Sequence, residues 1–189
     1  MTGPRARIRH ITEDDWDHIV ALEAATYADG ALSEERHALE SRARSSPATC
    51  FVLDVEGRPA GYVLALPYPM FRYPDLSRAE DVVFHSRNLH LHDLVVAERH
   101  RGNGFARDLL DRLMTTARTK RYERLSLIAV RGSEAFWAAN GFAAVPDVPL
   151  SASYGAHAVY MSTAVHPGPA SRRQHPSMVR AADRPHTTK

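Results

Sequence analysis

The sequence has one cysteine, two tryptophans and ten glycines among 189 residues. A lone Cys50 excludes an internal disulfide and a thiolate metal cluster, and it reads as a small buried hydrophobe. No apolar run approaches the ~18 residues that a spanning helix needs, and the opening MTGPRARIRH lacks the apolar core of a secretory signal. No membrane partner and a cytoplasmic setting are therefore expected. Internal repeats are absent, and so is a strong charge of one sign: the net charge is only +2. Five basic residues (Arg172, Arg173, Arg180, Arg184, Lys189) against Asp183 fall in the stretch 166–189, so the rest of the chain is net negative. Such a body lacks the basic surface of a nucleic-acid binder, and nucleic acid is not the expected partner. Eleven histidines are scattered, and only His90 and His92 fall close together in an apolar segment. An isolated His-x-His offers two ligands where zinc wants three or four, so no metal site is expected.

What is present is the balance of one globular domain, 44% hydrophobic and 24% charged. Residues 1–165 are assigned to that domain, and the proline-rich, polar, basic 166–189 to a disordered tail. RIRHI (7–11) alternates like a strand. Thr12 then caps a helix with an acidic first turn, EDDW, and apolar Trp16, Ile19, Val20 and Ala24 at helical spacing. SEERHALESRA (33–43) reads as a second, more polar helix capped by Ser33. CFVLDV (50–55) and AGYVLALPY (60–68) form a hairpin. The stretch 69–88 shows no period, and a connection of that length is usually functional or mobile.

LHLHDLVV (89–96) is a strand, GNGFARDLLDRLMTTARTKR (102–121) a helix, and LSLIAV (125–130) a buried strand. Strand, helix, strand is a crossover unit, so its two strands run parallel in a sheet whose hairpins are antiparallel. A short helix, SEAFWAAN, and strands at 142–145 and 157–163 complete the order. Ser133 reads as the N-cap of that short helix.

RHRGNGFARDLL (99–110) sets glycines between arginines at the mouth of a helix. The first N–H groups of a helix lack intrahelical partners and suit an anion. Gly102 and Gly104 permit positive φ and close approach, while Arg99, Arg101 and Arg107 add charge. A phosphate cradle and a plain tight turn both satisfy this pattern. It is neither a Walker loop, lacking G-K-[ST], nor a dinucleotide fingerprint, lacking the third glycine and the acidic residue.

RGNGFA matches the R/Q-x-x-G-x-G/A pattern of the GNAT acyltransferases. HLHDLVV resembles the fourth strand of that family, FWAANGF its F-Y-x-x-x-G-F segment, and IRHITEDDW its first strand and helix. The chain is thus similar to that family over about residues 6–163. The resemblance implies an α/β (α+β) fold: a mixed, mostly antiparallel sheet of about seven strands with about four helices. It implies acetyl-CoA as cofactor, with Arg101, Gly102, Asn103, Gly104, Phe105, Ala106 and Arg107 at the pyrophosphate. Leu94, Val95 and Val96 would pair with the pantetheine arm by strand addition, one of their N–H groups acting as an oxyanion donor, and Trp137 would pack beside the arm.

The implied partner is a small-molecule amine, with a protein or peptide amino group as the alternative; a homodimer is left open. An alkylammonium of pKa about 10.4 is neutral about once in 2,500 at pH 7, so a base is required. The fourth strand supplies it in the family, which points to His92, with Asp93 beside it, as base or as anchor of a base water. The tyrosine that often serves as acid is replaced by Trp137. Either the thiolate leaves unaided or Tyr154, in SASYGAHAVYM, protonates it. Tyr27, Tyr73 and His90 are candidates for the acceptor pocket, where aromatics and acids such as Asp29, Asp75, Glu80 and Asp81 suit a cationic amine. A CoA-binding module without turnover is the alternative of a different class.

Overall fold

The computed structural model describes residues 5–166. The basic tail proposed for 166–189 lies, from 167 on, outside the described residues. The chain runs β1 (Ala6–His10), α1 (Trp16–Thr26), α2 (Arg36–Ser45), β2 (Phe51–Val55), β3 (Arg58–Pro67) and β4 (Asn88–Val96). It continues as α3 (Phe105–Thr119), β5 (Arg124–Ala129), α4 (Glu134–Ala139), β6 (Ala143–Ala144) and β7 (Val159–Ala164). The seven strands lie in the order β1-β2-β3-β4-β5-β7-β6. The β4–β5 pair is parallel and the other neighbours are antiparallel. This is the mixed α+β sheet that the crossover unit and hairpins require.

Helices cover both faces. On one, Leu109, Leu110, Leu113 and Ala117 of α3 pack with Val63, Ala65, Leu89, Leu91, Leu125 and Leu127 into the larger core. Helical spacing puts these leucines on one stripe, and burying such a side chain contributes about 1.5–3 kcal/mol. On the other face a smaller cluster joins Trp16, Ile19 and Leu39 to Tyr62, Leu64 and Val95. Cys50 belongs to this cluster, fully buried, and burial pushes its thiol up to about 12.

Two helix starts differ in detail from the sequence reading. Thr12 opens a single 3-10 turn rather than α1 itself, and the Asp15 carboxylate accepts its N–H at 2.8 Å and its hydroxyl at 2.9 Å. Arg9 clasps the same carboxylate at 2.6 and 2.7 Å. Burial opposes ionisation of Asp15, yet these donors hold its pKa down at about 2. Ser33 does not cap α2, which begins at Arg36; its hydroxyl is donated to Glu23 Oε2 at 2.8 Å. A buried carboxylate within reach outcompetes the exposed helix end for that hydroxyl.

The stretch between β3 and β4 has no helix or strand, and it is tied down by side chains from elsewhere. Ser41 Oγ accepts the Glu80 N–H at 2.8 Å, Tyr154 donates to the Pro74 carbonyl at 2.7 Å, and Tyr160 Oη accepts the Phe71 N–H at 3.1 Å.

Candidate active site

β4 and β5 pair only from Asn88/Arg124 to Leu91/Leu127. Beyond that point they diverge. The cause lies on the other edge of β4, where the register with β3 passes from Leu91 opposite Ala65 to Asp93 opposite Leu64. His92 is the extra residue of a bulge, which bends the strand and increases its twist. A cleft of about 480 Å³ opens between the strands, walled by Leu91 and Leu94 on one side and by Leu127, Ile128 and Val130 on the other. Backbone on the β5 side of β4 has lost its ladder partner here, and an extended ligand carrying amides could pair with it.

At the end of β4 a 3-10 turn (Glu98–His100) leads into the glycine hinge. Gly102 and Gly104 have φ of 79° and 84°, and a Cβ on either would meet nothing within 4 Å. Backbone conformation, not crowding, therefore requires glycine at these positions. Gly104 is the N-cap of α3, and Asp108 N–H bonds the Gly104 carbonyl at 3.1 Å. The earlier N–H groups of the turn have no intrahelical acceptor. Phe105 turns into the core and Ala106 packs against it. Arg101 lines the cleft, with Nε on the Val96 carbonyl at 3.2 Å, and Arg107 Nε reaches Asn140 Oδ1 at 3.3 Å. Open positive-φ glycines, helix N–H groups and two arginines beside an unpaired strand edge fit a diphosphate joined to an amide-bearing arm.

Trp137 is buried on the cleft wall, edge-on to Phe136 and Phe142, and its indole N–H donates to Ser133 Oγ at 3.2 Å. Ser133 stands at the N-cap position of α4, and its hydroxyl also accepts the Val130 N–H at 3.2 Å.

The other end of the cleft is acidic. Strict alternation would send His92 and Asp93 to opposite faces; the bulge turns both toward α1 and α2. His92 Nε2 hydrogen-bonds Glu34 Oε1 at 2.5 Å, and its side chain is 2% exposed. Its Nδ1 is buried with no partner among the described residues. Glu34 is also bound through Oε2 to Arg42 Nη2 at 2.5 Å. Arg42 is fully buried; the same Nη2 also donates to the Asp75 carbonyl at 2.8 Å, and Nη1 donates to Glu80 Oε1. Burial works against the charge of Glu34, but His92 and Arg42 keep its pKa below the ordinary value.

Asp93 accepts Tyr27 Oη at 2.8 Å and Tyr62 Oη at 2.5 Å. Burial raises its pKa despite those two donors and nearby His92. Both tyrosines are pushed above the usual phenol range, chiefly by burial and then by the Asp93 charge, so both stay protonated donors. Glu23 completes the acidic end: it accepts the Glu34 N–H at 2.6 Å, and burial raises its pKa.

The cleft thus gathers Tyr27, His92, Asp93, Leu94, Arg101, Trp137 and Tyr154 of the residues singled out in the sequence. Val95 and Val96 pack into opposite cores, and Tyr73 sits outside the lining, hydrogen-bonded to the Pro149 carbonyl at 2.9 Å and to Ser151 N–H at 2.8 Å. His90 is also outside it. It lies before the divergence, opposite Ser126, whose hydroxyl is 3.0 Å from its Nδ1, and burial lowers its pKa to about 3. Tyr154 is on the wall, but its hydroxyl is bonded to Pro74 and burial raises its pKa. Sequence reasoning missed Glu34, Arg42 and Tyr62. Glu34 had one available signal, an acid beside the junction of two helices ahead of an arginine at helical spacing.

A sheet split beside a glycine-led helix, with ionisable groups at the far end, defines the GNAT class of fold. The chain belongs to the acetyltransferase (GNAT) family, whose model matches residues 8–142. No curated protein sequence matches it. Ard1 of Thermoplasma volcanium superposes with a TM-score of 0.68 at 18% identity, over 85% of this chain and 98% of that one. The GphF GNAT-like decarboxylase bound to isobutyryl-CoA gives 0.69 at 20%, over 85% and 100%. N-acetylglutamate synthase of Neisseria gonorrhoeae, bound to coenzyme A and N-acetyl-glutamate, gives 0.67 at 18%, over 87% of this chain but 36% of that one. These likenesses establish the fold. Among the described residues no helix is long and apolar enough to cross a membrane.

Proposed function

We propose that the protein is an N-acetyltransferase that binds acetyl-CoA and acylates a small primary amine within a ternary complex. The observation that carries this reading is His92: a buried imidazole clasped by Glu34 on the wall of a cleft between diverging strands, with its other nitrogen unpartnered. A carboxylate on Nε2 fixes that nitrogen as the N–H and leaves the lone pair on Nδ1, the form a general base requires. His92 Nδ1 then takes the proton that an arriving ammonium must lose, and the imidazolium so formed is stabilised by Glu34. Glu23, Glu34 and Asp93, all buried at this end, draw the cation in.

Arg101, Arg107 and the N–H groups from Gly102 through Ala106 would hold the diphosphate, with Asn103 bridging to the His100 carbonyl at 3.1 Å as the loop's brace. The β5-facing edge of Leu94 to Val96 would hold the amide arm and offer an N–H to the thioester oxygen, a contact worth about 3 kcal/mol in comparable sites. When bound, the cofactor supplies an activated acyl group on a thiol leaving group. Tyr154 stays protonated beside that region; donating to sulfur would require its hydroxyl to swing off Pro74.

The test is thiol release from acetyl-CoA with a panel of amines, run on wild type and on Glu34→Gln. Release with at least one amine, slowed tenfold or more in the variant, supports the assignment. Tight CoA binding without release for any amine favours a non-turnover binding module, a reading to which Trp137 lends weight by replacing the usual phenol. Release only with peptides would shift the acceptor to a protein amino group.

A further inference from the structure

A second hollow, of about 310 Å³, lies between the segment after α1 and the turn before β7. Its wall is largely small and apolar, with Ala31, Leu32, Ala152, Ala156 and Ala158. It adjoins the acidic end of the cleft, for Leu32, Arg131 and Tyr154 line both. The polar groups at that shared boundary are already engaged with one another. Arg131 Nη2 lies 3.3 Å from Asp29 Oδ2, and its Nη1 donates to the Thr26 carbonyl at 3.3 Å. Tyr154 is bonded to Pro74, and Ser153 Oγ pairs with Ser151 Oγ at 2.9 Å. The exposed His157 stands on the outer margin.

We propose that this hollow is the acceptor's tail subsite, and that the acceptor is an amphipathic monoamine. Its ammonium meets the Glu34 and Asp93 end of the cleft, and its uncharged alkyl or arylalkyl body passes Leu32 and Tyr154 to rest among the alanines. The inference rests on the amine-transfer reading above and narrows it. The chemistry of the wall selects the tail. A methylene leaving water for such a surface gains about fourfold in affinity. A second ammonium would lose hydration among methyl groups beside a guanidinium that already has its carboxylate, so diamines and polyamines are disfavoured. An extended peptide is disfavoured on the opposite flank, where Tyr73 and Tyr154 bind the stretch after β3 to the stretch before β7 through Pro149, Ser151 and Pro74.

The test uses a homologous series, ethylamine to octylamine with phenethylamine, against 1,6-diaminohexane. Two measurements are made on the full chain: kcat/KM with acetyl-CoA, and direct calorimetric binding of the same amines to the protein alone. Affinity and kcat/KM should climb by about threefold to fourfold per methylene over the first several carbons, and hexylamine should exceed the diamine tenfold or more. Filling the hollow by Ala156→Trp, or separately by Ala152→Trp, should collapse the hexylamine-to-ethylamine ratio toward one. Two positions guard against one variant failing to fold, and near-ultraviolet circular dichroism reports whether each has. A flat series, or a ratio untouched in a folded variant, overturns the subsite. If no amine is acylated yet binding still climbs with chain length and falls in Ala156→Trp, the catalytic reading fails while the subsite stands.

Discussion

The face of the sheet under α3 and α4 buries Leu89, Leu91, Leu109, Leu113, Leu125 and Leu127, whereas the face under α1 and α2 buries Glu23, Glu34, Arg42 and Asp93 beside a smaller apolar cluster. The first arrangement gains free energy simply by removing hydrocarbon from water. The second costs desolvation for each charge and is tolerable only because every carboxylate has donors: Glu34 has His92 and Arg42, Asp93 has Tyr27 and Tyr62, Glu23 has Ser33 and the Glu34 amide. The larger apolar core lies on one face and the buried ionisable cluster on the other, and the β3–β4 bulge at His92 turns His92 and Asp93 toward the second.

The contrast can be broken most severely at His92. Changing His92→Ala should lower kcat by about 10²- to 10⁴-fold while leaving CoA affinity within a few-fold, as steady-state kinetics and calorimetry would show. Replacing Arg42→Met comes next: it strands the carboxylates of Glu34 and Glu80 and should destabilise the fold by about 3–5 kcal/mol in urea titration. The triple variant R42M/E34Q/E80Q should regain much of that stability but not activity, which separates the cost of charge from its use. Leu113→Ala, on the apolar face, should cost about 2–5 kcal/mol and leave kcat near wild type at temperatures where the variant is folded.

The smallest effect concerns pH. Burial holds His90 neutral in the folded chain down to about pH 3, while in the unfolded chain it protonates near its ordinary value of 6.5. A depressed folded pKa means that its contribution is intact above about pH 6.5 and is lost as pH falls from there toward 3. Urea midpoints of a His90→Asn variant should therefore decline less steeply between pH 6 and 4 than those of wild type. An unchanged slope would show that His90 is hydrated or already charged.

The apolar face was the more legible of the two. Its leucines recur at helical spacing in α3 and in continuous runs in β4 and β5, and local periodicity is what a one-dimensional reading detects. The glycine hinge was legible too, because it lies within one short segment, and His92 and Asp93, singled out in the sequence, do line the cleft. His90 came from the same reasoning and lies off the cleft wall, since sequence cannot say where along β4 the strands part; Tyr73 lies off it too, held by Pro149 and Ser151 far along the chain. Glu34 and Arg42 were read as features of a polar helix. The partner of Glu34 is 58 residues away and that of Arg42, Glu80, is 38 away, and such pairings leave no periodic trace.

By itself, then, the amino-acid order determined the succession of strands and helices, the parallel crossover around α3 and the glycine turn at its start, because each depends on neighbours within a few residues. Tertiary structure alone decided that His92 and Asp93 share a face, that a fully buried arginine steadies the carboxylate on the imidazole, and that an alanine-lined hollow adjoins them. Those outcomes depend on one unpaired residue in a ladder and on side chains meeting across distant segments, and the free energy that selects them exists only once the sheet and its helices have closed together.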